Sequence, residues 1–209
     1  YLTGLIVGGG HILILLDASA SMLDRTIVNV VRTRNLSREV RLGSEKWQRA
    51  VRTGEWILAN LPQQAVFQLY TFNENAKSVI PEQDAKWLSV QDRDNIEETM
   101  NYLNRIVPEG GTSLHHALAK AKLLEPPPDN IFLITDGLPT QGLNPPKSNI
   151  VSSQERNVLF VDAISQTSEN IPINIILFPM EGDPLAAASY WRLAQITSGS
   201  FLAPSEDWP

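Results

Sequence analysis

The chain has no cysteine. Disulfides, structural zinc sites and thiol catalysis are thereby excluded. The compartment stays open, because a cysteine-free chain suits an oxidising or a reducing space. It also lacks an excess of basic charge. A net charge of -6 argues against a general nucleic-acid binder, which is normally basic, and no nucleic-acid partner is expected. No apolar run is long enough to span a bilayer. Tyr1–Gly10 is apolar and glycine-rich but short. It reads as a linker feeding the first strand, or as the tail of a removed signal or membrane anchor upstream of residue 1. Gly8-Gly9-Gly10 is not followed by the Gly-Lys-Ser/Thr of a phosphate loop, so nucleotide binding is not expected. There is no Gly-x-Ser-x-Gly nucleophile pattern. His115 and His116 read as ordinary helix residues, and His11 as structural. The five tryptophans read as packing. No repeat, low-complexity tract or domain boundary divides the 209 residues, a length that suits one domain, 1–209.

What the chain does contain is an alternation of strand and helix patterns. His11–Leu16 and Asn130–Thr135 are continuous apolar runs, as expected of strands buried on both faces. Residues 65–72 and 173–178 read as further strands. Residues 76–80 read as a short antiparallel edge strand that Pro81 stops. Trp47, Ala50, Val51, Gly54, Ile57, Leu58 and Leu61 form one helical stripe. Further helices are expected after Asp94, which stands with Glu97 at capping-box spacing, and from Thr112 as a cap. Others are expected over about 152–168 and from Asp183-Pro184 to a stop at Gly199. Residues 22–44 carry five arginines against Asp24 and Glu39, and read as an insertion, part helix and part loop. The pattern predicts an α/β fold: a Rossmann-like, doubly wound, mostly parallel sheet with one antiparallel edge strand and helices on both faces. Ligands of such sheets bind beyond the carboxyl ends of the strands.

Asp17, Ser19 and Ser21 follow the first buried strand at every second position. Asp136 follows the second, and Thr112 opens a helix. In a loop leaving a strand, residues 17, 19 and 21 can turn inward around one ion while the small Ala18 and Ala20 point away. Two carboxylates and three hydroxyls make an all-oxygen set suited to a hard cation, with Mg²⁺ expected and Mn²⁺ or Ca²⁺ as alternatives. The carboxylates can at most cancel the ion's charge. If one of them binds only through water, the ion stays positive and attracts a partner's carboxylate. The bland reading is that Asp17 caps a turn and the serines are loop residues.

Asp-x-Ser-x-Ser after a buried strand, the Thr of Gly-Gly-Thr and the Asp of Thr-Asp-Gly together resemble the metal-ion-dependent adhesion site of von Willebrand factor A domains. The resemblance runs over nearly the whole chain in motif and element order. It implies that Ser19 and Ser21 bind the metal directly, and that Asp17, Thr112 and Asp136 bind it directly or through water. Gly110, Gly111 and Gly137 would shape the backbone, and an acidic residue of a protein partner would take the open coordination position. Ala20 departs from the family's frequent glycine, at a variable position. The expectation is a non-enzymatic, metal-dependent binding module without catalytic residues. Two alternatives are a metal-dependent phosphoester hydrolase, which lacks an evident nucleophile because position 19 is Ser, and a metal-independent scaffold subunit that packs through residues 22–44. The expected setting is a bacterial extracytoplasmic, membrane-tethered protein, with a cytoplasmic partner of an ATPase machine as the alternative.

Overall fold

The computed structural model describes residue 5 and residues 8–146, 148, 150–167, 170–205 and 208. Most of the Tyr1–Gly10 tail, Lys147 and Asn149 therefore lie outside the described residues.

Among the described residues, the centre is a seven-stranded sheet. Its strands are β1 (His11–Asp17), β2 (Val66–Phe72), β3 (Ala76–Ser78), β4 (Leu88–Ser89), β5 (Asn130–Thr135), β6 (Ile173–Leu177) and β7 (Phe201–Leu202). They run in the order β3-β2-β1-β5-β6-β7, and β4 pairs separately with β2. β1 pairs in parallel with both β2 and β5, β5 with β6, and β6 with β7. β3 is the expected antiparallel edge strand, though it ends at Ser78 rather than residue 80. β4 is a second antiparallel partner of β2, too short to show in the sequence pattern.

The apolar runs are continuous because both faces are covered. Ile12, Ile14 and Leu16 of β1 pack on one face with Phe132, Ile134 and Ile176. Leu13 and Leu15 face the other way with Ile131, Leu133, Ile173 and Ile175. Each fully buried aliphatic contributes about 1.5–3 kcal/mol at most. The first face is covered by α3 (Glu45–Ala59) and α4 (Arg93–Leu103), through Trp47, Ala50, Ile57, Leu58 and Leu103. The second is covered by α5 (Leu114–Ala119), α6 (Ser153–Ile164) and α7 (Ala186–Ile196), through Leu114, Leu118, Phe160, Tyr190 and Leu193. The insertion forms two short helices, α1 (Ile27–Thr33) and α2 (Arg38–Leu42).

Three expected caps are corrected. α4 is capped by Asp92, whose carboxylate accepts from Asp94 N, so Asp94 lies inside the first turn. α5 is capped by Ser113, which accepts from His116 N. Thr112, one residue earlier, has its amide committed to Thr140 Oγ1 at 2.9 Å. Asp183 does not cap α7. Its buried carboxylate accepts from Leu138 N at 2.6 Å and pairs with Arg156 at 2.8 Å, which pins the turn after β5. Gly199 does more than end α7. A Cβ there would lie 2.0 Å from Ile173 O, so only glycine lets the chain pass β6 this closely.

Candidate metal centre

β1 and β5 end side by side, with Leu16 opposite Ile134. Asp17 and Asp136 are therefore delivered to one edge of the sheet. Asp17 is fully buried. Its Oδ1 accepts from Ser19 N at 2.8 Å and its Oδ2 from Thr135 Oγ1 at 2.7 Å. Ser21 Oγ donates to Asp136 Oδ1 at 2.9 Å. A hydroxyl has one proton, so Ser19 is the donor in the 2.9 Å contact between Ser19 Oγ and Ser21 Oγ. The result is a directed chain from Ser19 to Ser21 to Asp136.

The Gly110-Gly111-Thr112 loop is tied to the Asp17–Ser21 loop by two backbone bonds, Ala20 N to Gly110 O at 3.1 Å and Glu109 N to Ala18 O at 2.9 Å. Gly110 has φ +74, a left-handed conformation that favours glycine. Thr112 is buried, and Thr140 and Gln141 donate their amides to its carbonyl at 2.9 and 3.1 Å. Among the described residues, no hydrogen bond joins the Thr112 hydroxyl to the other four candidates. Structure thus links Asp17, Ser19, Ser21 and Asp136, and holds Thr112 beside them through the backbone. At Gly137 a Cβ would lie 2.8 Å from Asp183 Oδ2, so this glycine leaves room for the Asp183 carboxylate behind the site.

Lys46 was not singled out among the candidate residues, yet it completes the arrangement. It sits in the first turn of α3, 6% exposed. Its Nζ donates to Asp136 Oδ2 at 2.6 Å, Asp24 O at 3.0 Å and Ser21 O at 3.1 Å. All three ammonium protons are used. A lysine near a helix N-terminus opposes the helix dipole. The signal that reveals it is its position four residues before Ala50, in the buried lane that continues through Thr53 and Ile57.

Burial pushes the Asp17 carboxyl up to about 7, and the Asp136 carboxylate pushes in the same direction, against the bonds from Ser19 and Thr135. Burial and the Asp17 charge likewise raise the Tyr190 phenol, which donates to Gly137 O at 2.9 Å. A cation beside Asp17 would offset the burial and like-charge cost that raises its carboxyl.

The donor set fits a small hard cation on a further count. Adjacent oxygens around an octahedral Mg²⁺ at about 2.1 Å stand about 3.0 Å apart. The Ser19–Ser21 and Ser21–Asp136 oxygen separations are both 2.9 Å, an ordinary hydrogen-bond length that is also compatible with adjacent ligands of one ion. Among the described residues no three His, Cys, Asp or Glu side chains converge. Any metal would therefore depend on the hydroxyls. The histidines lie elsewhere: His115 pairs with Asp162 at 3.0 Å, His116 faces Glu74 O at 2.8 Å, and His11 packs on Trp87.

Residues 12–138 match the family model of the von Willebrand factor type A domain, and the chain belongs to that family. Solved structures share the fold at low identity. A von Willebrand factor type A protein from Catenulispora acidiphila is 17% identical with a TM-score of 0.63, over 95% of this chain and 39% of the other. Proximal thread matrix protein 1 from the mussel byssus is 14% identical with a TM-score of 0.54, over 95% and 44%. One structure of that mussel protein is described as having a zinc-occupied MIDAS motif. An aerotolerance-related membrane protein from Bacteroides fragilis is 16% identical with a TM-score of 0.53, over 94% and 92%. The chain spans less than half the length of the first two. A search of curated proteins gives no match.

Proposed function

We propose that the chain binds a protein partner through a divalent cation held by Asp17, Ser19, Ser21, Thr112 and Asp136, with Mg²⁺ the expected ion. The observation that carries this reading is the gathering of the Asp17, Ser19, Ser21 and Asp136 oxygens into one hydrogen-bonded cluster at the edge of the sheet. The zinc-occupied motif of the mussel relative is in line with it. When bound, the cation supplies an electrophilic position for an acidic side chain of the partner.

Lys46 sets the charge of that position. It ion-pairs with Asp136 at 2.6 Å. A divalent ion and Lys46 against Asp17 and Asp136 leave the loaded site with a surplus positive charge, and an incoming carboxylate neutralises it. Calorimetry with Mg²⁺ on the wild type and on Asp17→Ala tests the metal. Heat of binding in the wild type that disappears in the variant is expected, and equal affinity in both defeats the reading.

One observation favours the metal-independent alternative, docking through the insertion. Ile27, Val28, Val31, Leu36 and Val40 are each about half exposed, an unusual density of open apolar side chains. Partner capture that survives EDTA but fails when residues 26–42 are replaced by a short linker selects this alternative. No described helix is long and apolar enough to cross a membrane. An extracytoplasmic, membrane-tethered setting is part of the proposal, in line with relatives from a byssus and a membrane protein. Surface labelling of intact cells with an impermeant reagent checks it.

A further inference from the structure

Beside the metal loop lies a cavity of about 410 Å³. Ala18, the residue between Asp17 and Ser19, forms part of its wall. The rest of its lining is unusual for a chain of net charge -6. Arg38 and Arg41 reach it from α2, Lys77 from the edge strand β3, and Arg105 from the turn after α4, with Glu109 as the opposing acid.

These cations are only partly neutralised: Arg41 ion-pairs with Glu109, and Arg38 acts on its neighbour Glu39. The Arg41 guanidinium stands 3.6 Å from the exposed Glu109 carboxylate, longer than a hydrogen bond. Its buried Nε has no acceptor among the described residues, and such orphans in a native protein call for a physical reason. Arg38 Nη2 donates to Arg105 O at 2.6 Å, which draws the two arginines together without cancelling either charge. Among the described residues, the Lys77 and Arg105 side chains have no carboxylate partner. Four cations and one acid thus line one opening, leaving a surplus of three positive charges. An anionic ligand would relieve their repulsion.

We infer that this pocket takes a second acidic side chain of the same partner whose first carboxylate completes the metal, an inference that rests on the metal-dependent reading. The recognised element is then an acidic segment and not a lone acid. Two observations select a protein segment as the occupant. The wall shared with the metal loop puts the two positions on one short path. The pocket is also bordered by β3, whose outer edge is unpaired at the end of the sheet and is able to hydrogen-bond an extended chain. The cations concentrate acidic segments against the general negative charge of the molecule.

The test uses hexaglutamate and a hexapeptide with a single Glu among glycines, each titrated with Mg²⁺ present. The variant is Lys77→Ala/Arg105→Ala, in which both replaced side chains are exposed and make no hydrogen bond or ion pair among the described residues. Hexaglutamate is expected to bind the variant about tenfold more weakly, from the loss of two exposed charge pairs. Single-Glu binding and Mg²⁺ affinity should not change. Equal hexaglutamate affinity in both proteins overturns the proposal. Inorganic phosphate that alone saturates the pocket in EDTA as tightly as hexaglutamate also overturns it, by making the pocket a free-anion site. Asp17→Ala separates the two readings. It should keep salt-sensitive hexaglutamate binding while losing the response to Mg²⁺. A wild type that ignores Mg²⁺ yet shows the tenfold difference would sink the metal reading and leave the pocket standing.

Discussion

Replacing Lys46 by Met should make the apo protein less stable and its metal binding tighter. The two signs come from one contact. Lys46 and Asp136 form a buried pair at 2.6 Å, with side chains 6% and 3% exposed. Removing the ammonium strands Asp136 next to Asp17, and breaking a buried pair this way costs about 3–5 kcal/mol. Met keeps most of the packing volume, so the loss is electrostatic. The same ammonium repels an incoming cation. With an effective dielectric of about 20, charges of +1 and +2 roughly 6 Å apart repel by about 5 kcal/mol. That separation is on the order of one hydrogen bond, the width of a carboxylate and a metal–oxygen bond. Solvent and ligand rearrangement reduce the effect, and a tenfold to hundredfold lower Kd for Mg²⁺, about 1.4–2.8 kcal/mol, is expected. The assay is thermal unfolding in EDTA together with calorimetry of Mg²⁺ binding. A folded Lys46→Met protein that binds Mg²⁺ no better than the wild type refutes the reasoning. A purely structural role for Lys46 would lower stability and metal affinity together.

Further outcomes follow from the same geometry. In EDTA, stability should fall as pH rises from about 4 to 7, because Asp17 ionises near 3.8 unfolded and about 7 folded, so the folded state holds the extra proton in that window. A shift of about 3 units sets an upper limit of about 4 kcal/mol. Urea unfolding at pH 5 and pH 8 reads it, and Asp17→Asn should flatten the profile. Gly199→Ala should cost about 3 kcal/mol or more, because its Cβ would meet Ile173 O at 2.0 Å; a denaturation midpoint equal to that of the wild type contradicts the packing described. Thr140→Val removes the acceptor of the Thr112 amide. It should cost about 1–3 kcal/mol and weaken Mg²⁺ binding, whereas unchanged metal affinity would take Thr112 out of the site.

Much of the architecture was legible because burial on both faces leaves an unmistakable pattern. The runs at 12–16 and 131–134 have no polar interruption, and each became a central strand. The α3 stripe was equally plain, since its spacing alone separates Trp47, Ala50, Ile57 and Leu58 from the exposed side. Local signals failed where tertiary bonds decided between neighbours. Thr112 and Ser113 both precede Leu114, and each is a chemically suitable cap. A bond from the Thr112 amide to Thr140, 28 residues on, leaves the capping to Ser113. Asp183-Pro184 has the look of a helix start, but its carboxylate serves Leu138 and Arg156 on another element. The candidate ligands were recognisable as motif pieces in order. Lys46 shares the buried lane of Ala50 and Ile57, but a lysine in the first turn of a helix reads as solvated until the sheet edge is placed against it.

The most direct test of the central claim is the anomalous difference density of crystals grown with Mn²⁺. The account predicts one strong peak bonded to Ser19 Oγ and Ser21 Oγ, within reach of Thr112 and the two carboxylates. Absence of density there, with the Lys46–Asp136 pair and the serine hydrogen bonds intact at saturating Mn²⁺, would contradict it.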